Sequence, residues 1–339
     1  MAEKGYLLRV LSNASFDRMK QVVDTVHERS GKNKLAIFLD MAKCTALYGA
    51  GYYDYEIFAF YNLTAKQRKT FVTRLVSKKL NTFLNDPAYI QVFENKDEFN
   101  DLFRKYVRRG YLKMATATAE DVAEFIKGKE YVFAKPQDAE CGHGCEKILV
   151  ADYPDPKVLF DHLKECNICL LEDCIKQHPA ESTLYPHAVN CMRVITLLDD
   201  DGEAHCLYVV QKMGKDGSFI DNNCLFTPVD IETGKIKYPA HSGDTTLGII
   251  YEEHPNTHVH LQGYEIPFVK EAVAMCLEAA KVVPQVRYVG WDVAITEDGP
   301  EFIEGNTYCA HDFWQLPPHT PDGIGMLPVF EKYVKDFKR

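Results

Sequence analysis

The sequence predicts an α+β chain: a mainly helical first third, suited to substrate binding, followed by paired strands, with boundaries near residues 112 and 177. Three observations predict it. Apolar residues recur at helical spacing through 14–29 and 64–84, the second stretch carrying Phe71, Leu75, Val76, Leu80, Phe83 and Leu84 on one stripe. Residues 189–198 and 204–212 flank Asp199-Asp-Asp-Gly202 as a strand-turn-strand unit. Residues 289–306 repeat that pattern, with Trp291, Val293 and Ile295 alternating against Asp292, Ala294 and Thr296, and Phe302, Glu304 and Asn306 continuing the alternation.

Composition sets the class. The chain has 339 residues, 46% hydrophobic and 26% charged, which is ordinary for a globular protein of two or three packed units. No apolar run reaches 18 residues, and the start Met-Ala-Glu-Lys-Gly lacks the layout of a signal peptide. Eleven cysteines, an odd number scattered along a large chain, fit a reducing compartment better than a disulfide framework. The expectation is a cytoplasmic protein without a membrane span.

The net charge of −10 is unevenly spread. Residues 1–113 carry 20 Lys+Arg against 12 Asp+Glu, whereas residues 114–339 carry 19 against 37. So acidic a chain is a poor general nucleic-acid binder, but its basic first third suits an anionic substrate. The plainer reading is that Lys66, Arg68, Lys69, Arg74, Lys78 and Lys79 form the wet side of a helix.

In chain order, the aromatic-rich residues 47–61 read as core packing, Asn85-Asp86-Pro87 as a turn, and residues 96–107 as an amphipathic helix ending at Arg108-Arg109-Gly110. After a helix near 119–127, residues 131–136 form a strand that stops at Pro136, and residues 147–150 resume one. Residues 155–165 are a helix and 168–173 a buried-type strand ending in acid. Residues 238–262, rich in Gly, His, Pro and Thr, lack a period and read as a long loop fit to be a lid. Residues 265–283 are an amphipathic helix that packs behind the last hairpin.

Chemistry concentrates at a few positions. A three-residue loop, 297–299, with Gly299 left-handed, sets Thr296 opposite Pro300 and Asp292 opposite Glu304, with Asn306 two residues on along the same face. Facing carboxylates repel, at a cost of up to about 4 kcal/mol at 4 Å, so a positive charge is expected between them. Two carboxylates and an amide oxygen suit Mg2+ bound with a nucleotide better than they suit zinc. Lys135 ends a strand ahead of Cys141-Gly142-His143-Gly144-Cys145, a loop able to cover phosphates although it is no Walker sequence. Arg193 lies mid-strand among apolar neighbours and needs a carboxylate or a phosphate, and Lys212 ends the partner strand.

Lys135 before a glycine loop, an acid-ended strand at Glu172, Asn190 and Arg193 on one strand, Lys212 on the next, and Asp292 ahead of Glu304-x-Asn306 resemble the ATP-grasp superfamily in their order. The pattern is most similar to the sugar-transfer-associated ATP-grasp family, through Val189-Asn-Cys-Met-Arg-Val-Ile-Thr196, Ile220-Asp-Asn222 and residues 289–306, and the likeness extends over about residues 85–316.

The resemblance implies an ATP-grasp fold, with residues 113–177 and 178–339 as two α+β subdomains gripping a nucleotide. It implies ATP and Mg2+, with Mn2+ as a substitute. Lys135, Gly142, Gly144 and Lys147 would meet phosphates, Glu172, Asp173, Ile175, Gln177 and Asn190 the nucleotide, and Arg193 and Lys212 the γ-phosphate. Asp292, Glu304 and Asn306 would hold the metal. The implied reaction is ADP-forming: a carboxylate becomes an acylphosphate that an amine attacks to give an amide or peptide-like bond, on a sugar, glycan or cell-envelope precursor, with small-molecule substrates that are sugar- or nucleotide-linked.

Two departures from the pattern stand out. Gly290 occupies the place, two residues before the metal Asp, where many of these ligases carry arginine, and no glycine follows Asn306. Asp292→Asn or Glu304→Gln is expected to abolish turnover with the fold intact. The rival readings are a kinase-like use of the same site and a zinc-stabilised module built on Cys141, His143, Cys145, Cys166 and Cys169.

Overall fold

A computed structural model describes residues 16–137, 144–218 and 224–338. The chain divides into two compact units. One comprises the described residues up to Phe83, Asp244–Ile249 and those from Ala310 on; the other comprises Leu84–Gly243, without its undescribed residues, and Ile250–Cys309. Residues 84–112 thus cluster with the sheets and not with the helices that precede them. Among the described residues no helix is long and apolar enough to cross a membrane.

The first unit is helical, with Phe16–Ser30, Lys34–Tyr48, Tyr52–Ile57 and Leu327–Tyr333 among its elements. Asn33 caps Lys34–Tyr48 by accepting from the amides of Leu35 and Ala36, and Gly49 ends it at φ 65°. The aromatic-rich segment is core: Phe58, Phe60 and Phe71 are at most 1% exposed, with ring centroids 5.1 to 6.0 Å apart. The single helix expected over 64–84 is two, Ala65–Arg68 and Arg74–Leu84. Tertiary bonds break it: Thr73 donates to the Tyr48 carbonyl at 2.8 Å, and the Gln315 side chain pairs with both backbone groups of Val72. Where such bonds are available, spacing alone does not hold the helix together.

The second unit holds two antiparallel sheets. The smaller has four strands, β1 (Tyr111–Lys113), β2 (Tyr131–Pro136), β3 (Glu146–Leu149) and β4 (Ile168–Asp173), in the order β1-β4-β2-β3. Helices Ala119–Ile126 and Pro156–Glu165 bury Val122, Leu159 and Leu163 against Val132, Ala134 and Leu171.

The larger sheet has seven strands: β5 (Cys191–Leu198), β6 (Ala204–Gly214), β7 (Cys224–Val229), β8 (Ala240–Ser242), β9 (Ile250–Tyr251), β10 (Tyr288–Thr296) and β11 (Gly299–Asn306). Their order is β11-β10-β5-β6-β7-β8-β9. The expected loop 238–262 therefore contains two short strands, β8 and the edge strand β9. One face of the sheet packs on helix Val269–Ala280 and on Phe93, Phe99 and Phe103, around Trp291, which stacks on Phe302 at 4.8 Å. The expected helix over 96–107 ends at Leu102, and a separate helix, Pro87–Glu94, precedes it.

Candidate active site

β10 is the axis of the site because it pairs with β11 on one side and β5 on the other. Asp292 stands opposite Glu304 on β11 and opposite Arg193 on β5. Residues paired across antiparallel strands project to the same face, so Glu304, Asp292 and Arg193 form one row. Gly290 stands opposite Asn306, and Cys191 opposite Lys212, adding Asn306 and Lys212 to that face.

The Asp292–Glu304 pairing is as expected, but it is reached by another route. The turn is the two-residue Glu297-Asp298, which pairs Thr296 with Gly299 and Ile295 with Pro300, one step off the expected register. A bulge that leaves Ile303 between the Val293–Phe302 and Asp292–Glu304 pairs restores the register. Gly299 takes φ 105°, a conformation that would strain a residue with a side chain.

The positive charge expected beside the carboxylates is Arg193. Its Nη2 donates to Asp292 Oδ2 at 2.6 Å, its Nε donates to Oδ1, and Lys212 Nζ lies 3.8 Å from Oδ2. Arg193, Lys212 and Asp292 are all buried. Burial works to raise the Asp292 carboxyl, but Arg193 and then Lys212 outweigh it and hold the group below its ordinary value. Glu304 is exposed and accepts from Asn306 Nδ2 at 3.2 Å. Gly290 also has a steric reason. A Cβ there would stand 2.9 Å from Ile195 Cδ1 and 3.1 Å from Arg193 Cδ, so the bare backbone makes room for the arginine stem.

A second charged cluster joins the two sheets. Lys135 on β2 reaches Glu172 on β4, Nζ to Oε2 at 2.7 Å. Arg109 grips both oxygens of Glu172 at 3.0 Å, and Asn100 Nδ2 donates to Oε1 at 2.8 Å. Arg109 also donates from Nη1 to the Phe302 carbonyl, and its amide donates to Glu301 Oε2 at 3.2 Å, both on β11. Burial alone would raise the Glu172 carboxyl, but Arg109 and Lys135 bring it down to about 2. Sequence reading passed over Arg109, Asn100 and Glu301. Arg108-Arg109 looked like basic residues ending a helix, and the partner acids lie 63 and 192 positions away.

The description "Sugar-transfer associated ATP-grasp" matches residues 156–323. The match spans just under half of the chain. Several solved structures are similar to the chain. One is the ATP-grasp ligase PsnB with a phosphomimetic precursor variant, Mg and ADP, at 14% identity, 70% of this chain, 55% of that chain and TM-score 0.41. Another is carboxyaminoimidazole ribonucleotide synthase from Aspergillus clavatus with ATP, at 15%, 65%, 46% and 0.41. A third is D-alanyl-alanine synthetase A from Vibrio cholerae, at 15%, 71%, 61% and 0.38. The chain spans about half the length of the first two. No curated protein sequence matches.

The other expected site residues take varied places. Lys147 is exposed, its Nζ 4.4 Å from the Tyr131 ring centre, and shares a face of the small sheet with Lys135, since Phe133 pairs with Lys147. Gly144 takes φ 75°, whereas Gly142, Cys141, His143 and Ile220-Asp221-Asn222 lie outside the described residues. Asp173 is occupied, accepting from the Gly110 amide at 2.9 Å and pairing with Lys129 at 2.7 Å. Ile175 follows β4 and is half-buried. Gln177 and Asn190 fasten a turn: Gln177 Oε1 accepts from the Asn190 amide, and Asn190 Nδ2 donates to the carbonyls of Glu181 and Tyr185. Asn190 is 1% exposed, with its side chain taken up by backbone groups. Its place in the fold is to hold β5 and residues 181–185 in position.

Proposed function

We propose that the protein is an ATP- and Mg2+-dependent, ADP-forming ligase that activates a carboxylate as an acylphosphate for attack by an amine. Asp292, Glu304 and Asn306 beside Arg193 and Lys212, on three adjacent pairs of strands, carry the reading: an oxygen-donor set sits next to two cations at one edge of one sheet face. The donors fit Mg2+, a hard ion that accepts carboxylate and amide oxygens and leaves positions for phosphate and water. Bound there, it would supply charge neutralisation to phosphate oxygens.

The chain's own residues divide the remaining work. Lys135 and Lys147, on one face of β2 and β3, bind phosphate oxygens. The half-buried Ile175 offers an apolar contact to the base. Arg193 and Lys212 face the transferred phosphoryl group, and arginine meets its planar oxygens bidentately. Transfer of this kind asks little covalent chemistry of a protein, so positioning and preset charge supply most of the acceleration. Arg193 also answers the absence of arginine at Gly290, since it brings a guanidinium to the same sheet face from the neighbouring strand.

Glu304→Gln tests the reading best, because Glu304 is exposed and belongs to no buried ion pair. The expected outcome is loss of ADP release across a panel of carboxylic acids and amines, with the folded state unchanged. Hydroxylamine added to the wild type should be captured as a hydroxamate of the productive acid. Full turnover in the variant would remove the metal assignment, and phosphate retained on the acceptor would point to a kinase reaction. The substrate class we infer is a small carboxylate and an amine, sugar- or nucleotide-linked, in the cytoplasm.

A further inference from the structure

Glu146, His162 and Cys166 form a second donor cluster that uses none of the residues assigned above. Glu146 opens β3, His162 sits in the last turn of helix Pro156–Glu165, and Cys166 caps that helix at its C-terminus. Four residues apart, His162 and Cys166 share one side of the helix. His162 Nε2 lies 2.9 Å from Glu146 Oε2 and 3.9 Å from Cys166 Sγ, and all three donor atoms fall within 4.8 Å of one another.

Those spacings are close to what a tetrahedral ion imposes. With Zn–N and Zn–O near 2.0 Å and Zn–S near 2.3 Å, tetrahedral zinc holds its nitrogen and oxygen donors about 3.3 Å apart and its nitrogen and sulfur donors about 3.6 Å apart. The His162–Glu146 and His162–Cys166 separations are both within about 0.4 Å of these values. The helix C-terminus adds its carbonyl ends to the Glu146 charge, so the local field favours a cation. The imidazole and thiol select against Mg2+, which takes oxygen donors, and towards a borderline metal.

The rival zinc reading, drawn from the cysteine spacing, grouped Cys166 with Cys169. Cys169 turns inward and donates from Sγ to the Lys135 carbonyl at 3.3 Å, so Cys166 and Cys169 do not converge. Cys166 instead meets a histidine of its own helix and a glutamate of the facing strand.

The geometry points to a Zn2+ site held by Glu146, His162 and Cys166, with the fourth position left to water. The ion would join β3 to the end of helix Pro156–Glu165. It would take the Nε2 lone pair of the His162 tautomer that carries its proton on Nδ1, and the Cys166 thiol gives its proton to solvent as the Zn–S bond forms.

The test uses the full chain with Co2+ as probe, in excess Mg2+. One equivalent of Co2+ should give thiolate-to-cobalt charge-transfer absorption together with the visible bands of four-coordinate cobalt, both removed by Zn2+. Cys166→Ser should abolish the charge-transfer band, and His162→Gln should weaken binding at least tenfold. Zn2+ should raise the Tm of the wild type but not that of Cys166→Ser. Mg2+-ATP turnover should be the same in Cys166→Ser as in the wild type, which separates this site from the proposed nucleotide site. Absence of the band from the wild type, or its persistence in Cys166→Ser, would overturn the assignment.

Discussion

Asp292 and Glu172 are both buried carboxylates with two cations at hand, yet their surroundings differ. Glu172 is closed in: Arg109 holds it through both oxygens, Lys135 and Asn100 take what remains, and Arg109 continues to the backbone of β11. Asp292 is gripped by Arg193 and approached by Lys212, but across the strand pair it meets Glu304, exposed to solvent. A fully satisfied ion cluster ties one sheet to another, whereas a buried pair bordered by an exposed acid leaves donors for something to bind. The same residue chemistry thus serves cohesion in one place and, in the proposed function, ligand binding in the other.

The largest effect expected from this comparison is on stability, at Arg109. Arg109→Ala leaves the buried Glu172 to Lys135 and Asn100 alone and should cost about 3–5 kcal/mol in urea unfolding. A loss under about 1 kcal/mol would show that the cluster does not hold the sheets together. Asp292→Asn should also destabilise, because it leaves Arg193 buried without its counter-charge. This corrects the expectation that the fold would be untouched: Asp292 is already neutralised, so removing its charge relieves no repulsion.

Acid titration sharpens the comparison further. Glu172 is depressed from the ordinary 4.5 to about 2, so its contribution is complete above about pH 4.5 and disappears as pH falls towards 2. The linked stability is about 3 kcal/mol at most. A stability profile flat between pH 4.5 and 2 would contradict the clamp.

Gly290→Ala should cost about 1–3 kcal/mol by overpacking against Ile195 and Arg193, and should lower turnover by displacing the guanidinium. Unchanged kinetics would mean that the arginine stem does not need the bare backbone. The smallest effects belong to exposed groups. Glu304→Gln should shift stability by no more than about 0.5 kcal/mol while abolishing turnover, and Lys147→Ala should leave stability similarly unchanged while raising KM for ATP. Substantial unfolding of either variant would place it with the buried cluster.

Much of this contrast could be read along the chain. Alternation in residues 289–306 put Asp292 opposite Glu304, although two local errors cancelled: the turn is one residue shorter than expected, and the bulge at Ile303 makes up the difference. Neither a turn length nor a bulge leaves a firm mark in side-chain alternation, because alternation reports the face and not the count of residues in the loop. The break in residues 64–84 was hidden for a related reason, since the groups that interrupt that helix come from Tyr48 and Gln315.

The sequence by itself determined the α+β class, the strand faces and the order of charged residues from Lys135 to Asn306, because hydrophobic period and short turns act over a few residues. Only the tertiary structure decided which charges are spent on each other. That Arg193 already covers Asp292, that Arg109 closes over Glu172, and that Cys166 meets Glu146 instead of Cys169 all follow from where β-strands from distant segments are laid side by side. Burial makes those pairings decisive, since an ion removed from water must find its partner there or be neutralised.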